Sequence, residues 1–360
     1  MKIAILSMQR VVNFGSVLQA YSLREMIREV TGSSPSFLDI DSQNVLPVVR
    51  STEESVDYAS PAAYPPGYLQ KAKRRVIRWL SANNKKKIRR FMKKELQLDE
   101  PGKHTGYDCV VIGSDEVFNH SKGINLQFHG DIPEAKRVIT YAACCGSAIA
   151  GDISPEHLEQ VKQAMANISA VSVRDTATEQ YASALGAEKI RRHLDPVLTG
   201  KLNERTNRPV AVSKYLLVYA YGQRIHTKEE IGAIKAFAKK RGLKTVAMGG
   251  SQFWCDFYIP ADPFRLLDYF CHADYVVTDT FHGCIFSVIN HRKFAVIQRK
   301  TNSEKIKSLL EDLHLTSRQA TDMSKLEKVL EAPIDYDRIE MILQRERART
   351  REYLKEQLRG

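Results

Sequence analysis

The sequence predicts an α/β fold made of two parallel-sheet domains that face one another across a cleft. Strand-like apolar runs alternate with helical patterns along the whole chain. A short polar stretch at residues 200–209 ends in proline and divides this alternation into two series. A chain of 360 residues is also long for a single core. We therefore place domains at residues 1–199 and 210–335, and we expect a final helix at 336–360 to pack back on the first domain.

The first series begins with a strand at residues 2–6. Its helix is entered through Asn13-Phe14-Gly15, and the run 107–112 has the continuous apolar character of a buried strand. Predicted strands lie at residues 2–6, 36–40, 107–112, 138–142, 170–173 and 190–194, and predicted helices at 16–30, 155–167 and 175–185.

The second series repeats the same alternation. Gly242 stops its first helix, and the last strand precedes two helices that close the chain. Predicted strands lie at residues 215–220, 244–248, 275–277 and 293–297, and predicted helices at 228–241, 284–289, 303–312 and 338–358.

The formal charge of +12 is concentrated in one segment. Residues 71–94 contain twelve lysines and arginines and no acidic residue. Apolar residues recur there at helical spacing and are interrupted at 81–84, which predicts two short basic helices inserted in the first domain at about 69–97. The segment is either a solvated face or a peripheral contact with an anionic membrane surface. No nucleic-acid-binding motif accompanies it, so we expect no nucleic acid partner.

The six cysteines show no metal-like spacing, and several lie inside apolar runs. This pattern indicates a reducing cytoplasm and no zinc site. The first residues lack the basic region and the cleavage site of a secretory signal. No apolar stretch approaches the roughly 20 residues that span a bilayer. We therefore expect a cytoplasmic protein, which the basic segment would allow to lie at the inner face of the membrane.

A strand-to-helix turn near the end of the chain carries His282 and Gly283. Ligands of parallel α/β sheets bind at such turns, where glycine admits a close approach and imidazole can donate a proton or hold an anion. The alternative is a capped turn with Thr278 or Asp279 as N-cap and a packed histidine.

Four further segments stand at predicted strand ends. Asp115 could be a general base or the cap of the next turn. Arg174 could hold an anion by two parallel hydrogen bonds, although an isolated arginine more often pairs with a carboxylate. The remaining candidates for binding an anion or a sugar are Arg10, Asn13, Gly15, Ser114, Arg299 and Lys300.

Together these segments resemble the polysaccharide pyruvyl transferase family. The matching pieces, in order, are 13–21, 107–115, 172–175, 194–196 and 278–283 followed by Phe286-Ser287, and they cover about residues 1 to 315. The resemblance implies a fold of the GT-B type with two Rossmann-like domains. It also implies transfer of the pyruvyl group of phosphoenolpyruvate to two hydroxyls of one sugar in a cell-surface polysaccharide, which gives a cyclic ketal and phosphate.

The resemblance assigns roles to several candidates. Arg174 would clamp the donor, His282 would protonate its methylene carbon, and Asp115 would accept a hydroxyl proton. Many members carry arginine two residues before the histidine, where this chain has Thr280. Arg299, Lys300 or Arg10 would then supply the missing charge. The scheme requires no metal or other cofactor, and the basic segment suggests an acceptor linked to a polyprenyl diphosphate.

Two other classes of protein fit the same fold. A nucleotide-sugar glycosyltransferase would commonly hold ribose hydroxyls with a glutamate of the second domain. No glutamate occurs from residue 231 to 303, although Asp279 could substitute for it. A non-catalytic saccharide-binding or assembly protein would use the basic helices to dock on a partner.

Overall fold

The computed structural model describes residues 1–48, 68–98, 106–222, 224–299 and 303–359. They form two compact units. The first comprises the described residues of Met1–Glu53, Met92–Lys201 and Glu340–Gly360, and the second those of Glu54–Phe91 and Leu202–Ile339. Each unit is built on a parallel sheet, which confirms the predicted α/β class. The predicted cleft between the sheets stays a prediction.

The sheet of the first unit has the strand order β2-β1-β4-β6-β8-β9, with β7 also paired to β6. All of these pairings are parallel. The central strands β4 and β6 are buried on both faces, as their apolar sequences require. The strands of this unit are β1 (Ile3–Leu6), β2 (Ser36–Phe37), β3 (Val45–Leu46), β4 (Cys109–Asp115), β5 (Ile124–Asn125), β6 (Val138–Ala143), β7 (Ile168–Ala170), β8 (Ser172–Val173) and β9 (Arg191–Arg192). The two short strands β3 and β5 form a separate antiparallel pair.

The helices of the first unit begin and end at local signals. Asn13 caps α1, which ends at Gly32 in the left-handed region (φ 73°). Asp175 caps α4 by accepting a hydrogen bond from the Thr178 amide. The helices are α1 (Phe14–Thr31), α3 (Pro155–Ala166), α4 (Thr176–Ala184) and α5 (Pro196–Thr199), and most of α11 (Tyr336–Leu358) also belongs to this unit.

The final helix α11 packs against the first sheet. The Tyr353 hydroxyl donates to the Thr140 carbonyl oxygen at 2.8 Å, and Arg137 Nη1 donates to the Gln357 carbonyl oxygen at 2.8 Å. The Tyr141 hydroxyl lies 3.1 Å from the hydroxyl of Thr350. These buried polar contacts complement the apolar burial of Leu343 and Leu354.

The sheet of the second unit has the order β12-β11-β10-β13-β14, again all parallel. A reciprocal pair of hydrogen bonds between Thr227 and Glu230 starts α6. The strands are β10 (Tyr215–Ala220), β11 (Lys244–Gly249), β12 (Phe257–Tyr258), β13 (Tyr275–Thr278) and β14 (Lys293–Val296). The helices are α2 (Tyr68–Glu95, through Phe91), α6 (Lys228–Lys240), α7 (Pro263–His272), α8 (Phe281–Ile289), α9 (Ser303–Asp312) and α10 (Leu326–Glu331).

The basic segment forms one continuous helix, α2, where two helices with a turn were predicted. The predicted turn fails to form because Asn84 points inward. Its Oδ1 accepts a hydrogen bond from the Ala261 amide at 2.9 Å, and its Nδ2 lies 3.4 Å from the Tyr258 hydroxyl. Ile77 packs in the core of the second unit. The sequence analysis attached this segment to the first domain, whereas these contacts place its residues up to Phe91 with the second unit.

Among the helices of the described residues, none combines the length and the apolar character that a bilayer crossing requires.

Candidate functional sites at the carboxyl edges of the two sheets

Three strands of the first sheet end in side chains that can do chemistry. Asp115 is the last residue of β4, Cys144 follows β6, and Arg174 follows β8. Because these strands are parallel, their carboxyl ends meet at one edge of the sheet. Asp115, Cys144, Asp175 and Asp195 all act electrostatically on Arg174, so the five residues form one cluster.

Arg174 lies buried within this cluster, with 5% of its surface exposed. Its Nη1 donates to Oδ2 of Asp195 at 3.0 Å. Burial opposes the charge of the guanidinium, but Cys144, Asp195, Asp175 and Asp115 outweigh it and raise the pKa of Arg174. Pairing with a carboxylate is more frequent for an isolated arginine than anion binding, as stated above, and the structure contains this pairing. The role of Arg174 as a donor clamp stays a prediction.

Asp115 occupies an unusual backbone conformation for a residue other than glycine, with φ of 78°. Its Oδ1 accepts a hydrogen bond from the Glu116 amide at 2.9 Å. Its Oδ2 is buried and has no hydrogen-bond partner among the residues that the structure describes. A buried carboxylate oxygen in this state is suited to accept a proton or a hydrogen bond from a ligand. The hydrogen bond from the Glu116 amide also joins Asp115 to the start of the turn that follows, which is the second role that the sequence suggested for it.

The other candidates of the first unit already hold local structure together. The Ser114 hydroxyl donates to the Ala142 carbonyl oxygen at 3.0 Å within the sheet. Asn13 Oδ1 accepts from the Gly15 amide at 2.8 Å as the cap of α1. Arg10 forms an ion pair with Asp39, in which Nη2 and Oδ2 are 3.0 Å apart. Their predicted roles in ligand binding stay predictions.

In the second unit, the turn from β13 into α8 is capped by Thr280. Its Oγ1 accepts a hydrogen bond from the Gly283 amide at 2.9 Å. The predicted caps, Thr278 and Asp279, are therefore wrong. The reason is that the Thr278 hydroxyl is used to position Thr280, whose hydroxyl lies 3.1 Å away.

Gly283 has a packing role at this turn. A Cβ atom added to it would lie 2.0 Å from Thr278 Oγ1 and 2.7 Å from Thr278 Cβ. Only glycine therefore lets α8 approach β13 this closely. The sequence analysis proposed that this glycine admits a ligand. In the structure it admits the neighbouring strand, and its role in binding a ligand stays a prediction.

His282 is the second residue of α8 and is half-buried. Its ring packs edge-on against Phe281, with centroids 5.4 Å apart, and lies 5.9 Å from the ring of Phe286. Two aromatic neighbours thus fix the imidazole in the first turn of the helix. At this position the backbone amides of the helix favour an anion.

Asp279 is fully buried beside two arginines. Burial raises the pKa of Asp279 to about 6, while Arg224 and Arg299 act in the opposite direction. Its Oδ2 lies 3.7 Å from Arg299 Nε, and Arg299 Nη1 lies 2.7 Å from Glu230 Oε1. A carboxyl group with a pKa near neutrality is able to exchange protons during a reaction.

From the sequence, Asp279 was predicted only as a cap or as a substitute for the ribose-holding glutamate of a glycosyltransferase. The sequence feature that could have pointed to Asp279 was its position at the end of a buried strand. Its charged neighbours Arg224 and Arg299 could not be inferred, because they are distant in sequence. The predicted candidate Lys300 lies outside the described residues. Within the described ranges, no group of three or more His, Cys, Asp or Glu side chains is arranged to hold a metal ion.

Comparison with known proteins gives one family. The family model described as polysaccharide pyruvyl transferase matches residues 13–301. No curated protein matches the chain.

Several solved structures show a distant likeness. One is the S. aureus MnaA–UDP co-structure, with 11% identity, coverage of 95% of this chain and 91% of that chain, and a TM-score of 0.49. Another is Methanocaldococcus jannaschii UDP-GlcNAc 2-epimerase in complex with UDP-GlcNAc and UDP, with 11% identity, coverage of 96% and 99%, and a TM-score of 0.44. A third is Arabidopsis thaliana UGT89C1 complexed with UDP-L-rhamnose, with 9% identity, coverage of 98% and 99%, and a TM-score of 0.47.

Proposed function

Because the chain belongs to the polysaccharide pyruvyl transferase family, we propose that it transfers the pyruvyl group of phosphoenolpyruvate to two hydroxyls of one sugar. The acceptor sugar belongs to a cell-surface polysaccharide, such as a capsule or exopolysaccharide, or to its lipid-linked precursor. The observation that carries this proposal is the family match over residues 13–301. The placement of His282 and Asp115 at carboxyl edges of parallel sheets supports it.

The reaction joins two sugar oxygens to C2 of phosphoenolpyruvate and adds one proton to its methylene carbon. The bond between C2 and the phosphate oxygen breaks, and phosphate leaves. Of the two hydroxyl protons, one returns to the group that protonated the methylene carbon, and the other leaves with phosphate. We assign the proton donor to His282 and the first acceptor of a hydroxyl proton to Asp115, whose Oδ2 lacks a hydrogen-bond partner within the described residues.

The donor carries a phosphate and a carboxylate, so it requires arginines and backbone amides. We propose Arg174 and Arg299 as candidate cationic groups for these anions, and the first turn of α8 as a candidate source of amides. Arg299 is held by Glu230 and Asp279 in the unit that carries Thr280. It thus offers the charge that many family members place at the position of Thr280.

The assignment of Arg174 can be tested by titration calorimetry with phosphoenolpyruvate. A single Arg174→Ala variant would leave Asp195 buried without its cation and destabilise the protein. We therefore compare Asp195→Asn with the double variant Arg174→Met, Asp195→Asn, in which both charges of the pair are removed. If Arg174 holds the donor, Asp195→Asn retains binding, while the double variant binds at least about 10-fold more weakly.

A companion variant separates binding from chemistry. His282→Gln is expected to bind phosphoenolpyruvate but to release phosphate at least about 100-fold more slowly with an acceptor sugar. Equal donor affinity in Asp195→Asn and in the double variant would remove Arg174 from the site. If a nucleoside diphosphate raises the melting temperature while phosphoenolpyruvate does not, the protein is a glycosyltransferase instead. If neither ligand acts and activity in cells survives the His282→Gln change, the non-catalytic alternative applies.

A further inference from the structure

One side of α2 presents basic and apolar side chains together to solvent. We propose that this basic face of α2, the solvent-facing side chains between residues 72 and 90, docks the protein on a bilayer surface that carries anionic phospholipids. The inference rests on the shape and charge of the helix, and it is independent of the reaction proposed above.

The opposite side of α2 is anchored on the second unit. Ile77 and Ile88 are each 3% exposed and Asn84 is 4% exposed, and these residues share one side at helical spacing. Lys73 Nζ donates to the Cys255 carbonyl oxygen, and the Arg74 guanidinium lies 5.4 Å from the ring centroid of Phe253. The orientation of the helix is therefore fixed, and so is the set of side chains that it turns outward.

The outward side carries two large apolar residues. Trp79 is 66% exposed and Val76 is 56% exposed. They are three residues apart and hence neighbours on the helix surface. An exposed tryptophan on a helix is stabilised by transfer to a membrane interface, where its ring lies at the level of the lipid headgroups.

Basic side chains surround this apolar pair. Arg75 lies one turn before Trp79, while Lys86 and Arg90 lie about two and three turns after it on the same side, and all three are exposed. No acidic residue occurs from residue 71 to 94, so this stretch of the helix offers no carboxylate to these three side chains. Lys86 and Arg90 are four residues apart, a spacing at which like charges repel. A surface dense in anions would remove this repulsion.

The combination of charge and apolar exposure favours a bilayer over a nucleic acid. Phosphodiester backbones would also attract the basic residues. A bilayer in addition buries Val76 and Trp79, and the stems of lysine and arginine can follow them into the interface. The strength of the electrostatic part corresponds to about a fivefold gain in affinity for each basic residue near the surface.

The test is co-sedimentation with two kinds of vesicle, one of phosphatidylcholine and one in which part of it is replaced by phosphatidylglycerol. We expect the wild type to bind only the anionic vesicles and to be released by high salt. The triple variant Arg75→Gln, Lys86→Gln, Arg90→Gln is expected to bind about 100-fold more weakly. The matched control removes three exposed lysines elsewhere in the second unit, Lys235→Gln, Lys239→Gln and Lys307→Gln, and retains wild-type binding.

Tryptophan fluorescence supplies the second measurement. The chain has two tryptophans, and Trp254 is held inside the second unit by donating to the Ile225 carbonyl oxygen at 3.1 Å. Anionic vesicles should shift the emission of the wild type to the blue, and Trp79→Phe should abolish this shift. Equal binding of the triple variant and the control would overturn the proposal. So would binding of a single-stranded DNA oligonucleotide in preference to anionic vesicles, which would assign the face to nucleic acid.

Discussion

At the scale of single residues, the contact between Gly283 and Thr278 sets the geometry of the turn that carries His282. The Gly283 amide also donates to Thr280, so one residue both permits the close approach of α8 and completes its cap. The position of the histidine therefore depends on a residue with no side chain.

The first prediction concerns this contact. Gly283→Ala should lower the free energy of unfolding by about 1–3 kcal/mol, because the added methyl group has no space beside Thr278. Urea denaturation measures the change. Thr278→Ala should recover part of the loss in the double variant, since it removes Oγ1 but leaves Cβ.

Gly232 in α6 provides the matched control for this substitution. An added Cβ at that position meets no atom within 4 Å. Gly232→Ala should thus stabilise the protein by roughly 0.5–1 kcal/mol through helix propensity. A stabilising effect of alanine at both positions would contradict the packing role of Gly283.

The sequence places the candidate side chains at strand ends but does not identify the side chains that contact them. Arg174 and Asp195 both belong to segments that the sequence analysis singled out, but their ion pair joins two strand ends and is set by the order of the strands. For Asp279, the raised pKa could not be predicted, because it depends on burial, which raises it, and on two arginines that tertiary structure brings near, which lower it. Local sequence contains neither quantity.

At the scale of elements, the chain follows its hydrophobic pattern closely. The predicted strand at 215–220 and the predicted helix at 303–312 are confirmed at their observed bounds. The helix α7 was not predicted, although Asp262 caps it and Pro263 starts it, two signals that sequence alone contains. In α2, tertiary packing of Asn84 overrides the tendency of consecutive asparagines to break a helix.

The second prediction follows from α2. Asn84→Ala should lower the free energy of unfolding by about 1–3 kcal/mol, because the buried Ala261 amide loses its acceptor. Denaturation in urea, monitored by circular dichroism, provides the measurement. Asn83→Ala is the neighbouring control and should be neutral or slightly stabilising, because alanine is the better helix former. Equal losses in the two variants would indicate that the helix responds to propensity and not to the inward contact.

At the scale of the whole molecule, each of the two units contains buried titratable groups, and the pKa shifts considered below have opposite directions in the two units. In the first unit, burial lowers the pKa values of His129 and His193, each to about 4, with Arg349 and Arg191 adding to the effect on His193. In the second unit, burial raises the pKa of Asp279 to about 6. Acidification therefore acts differently on the two units.

The third prediction concerns acid unfolding. Each histidine binds its proton more weakly when folded, so its contribution to stability is present above pH 6.5 and is lost as the pH falls toward 4, by about 3 kcal/mol per group. Asp279 has the opposite sign: its folded pKa is raised, so its contribution is present below pH 4 and is lost as the pH rises through 6. The first unit should consequently unfold first in acid.

Both tryptophans belong to the second unit. Tryptophan fluorescence therefore reports the unfolding of the second unit, while circular dichroism reports the unfolding of both units. Between pH 6.5 and 4 we expect circular dichroism to report a loss of stability that tryptophan fluorescence does not follow. In the variant Asp279→Asn, the contribution of this residue to the stability of the second unit should no longer fall as the pH rises through 6. A single transition in which both signals coincide at every pH would contradict this assignment.

The division of the chain between the units has a consequence for its synthesis on the ribosome. The first unit begins with β1 but is completed only by Glu340–Gly360, whereas the second unit is complete at Ile339. Folding during translation commonly proceeds from the N-terminal domain onward. Here the unit that starts first must wait for α11, whose Tyr353 reaches back to Thr140. We therefore expect the nascent first sheet to lack α11, and the burial that this helix provides, throughout translation of the second unit.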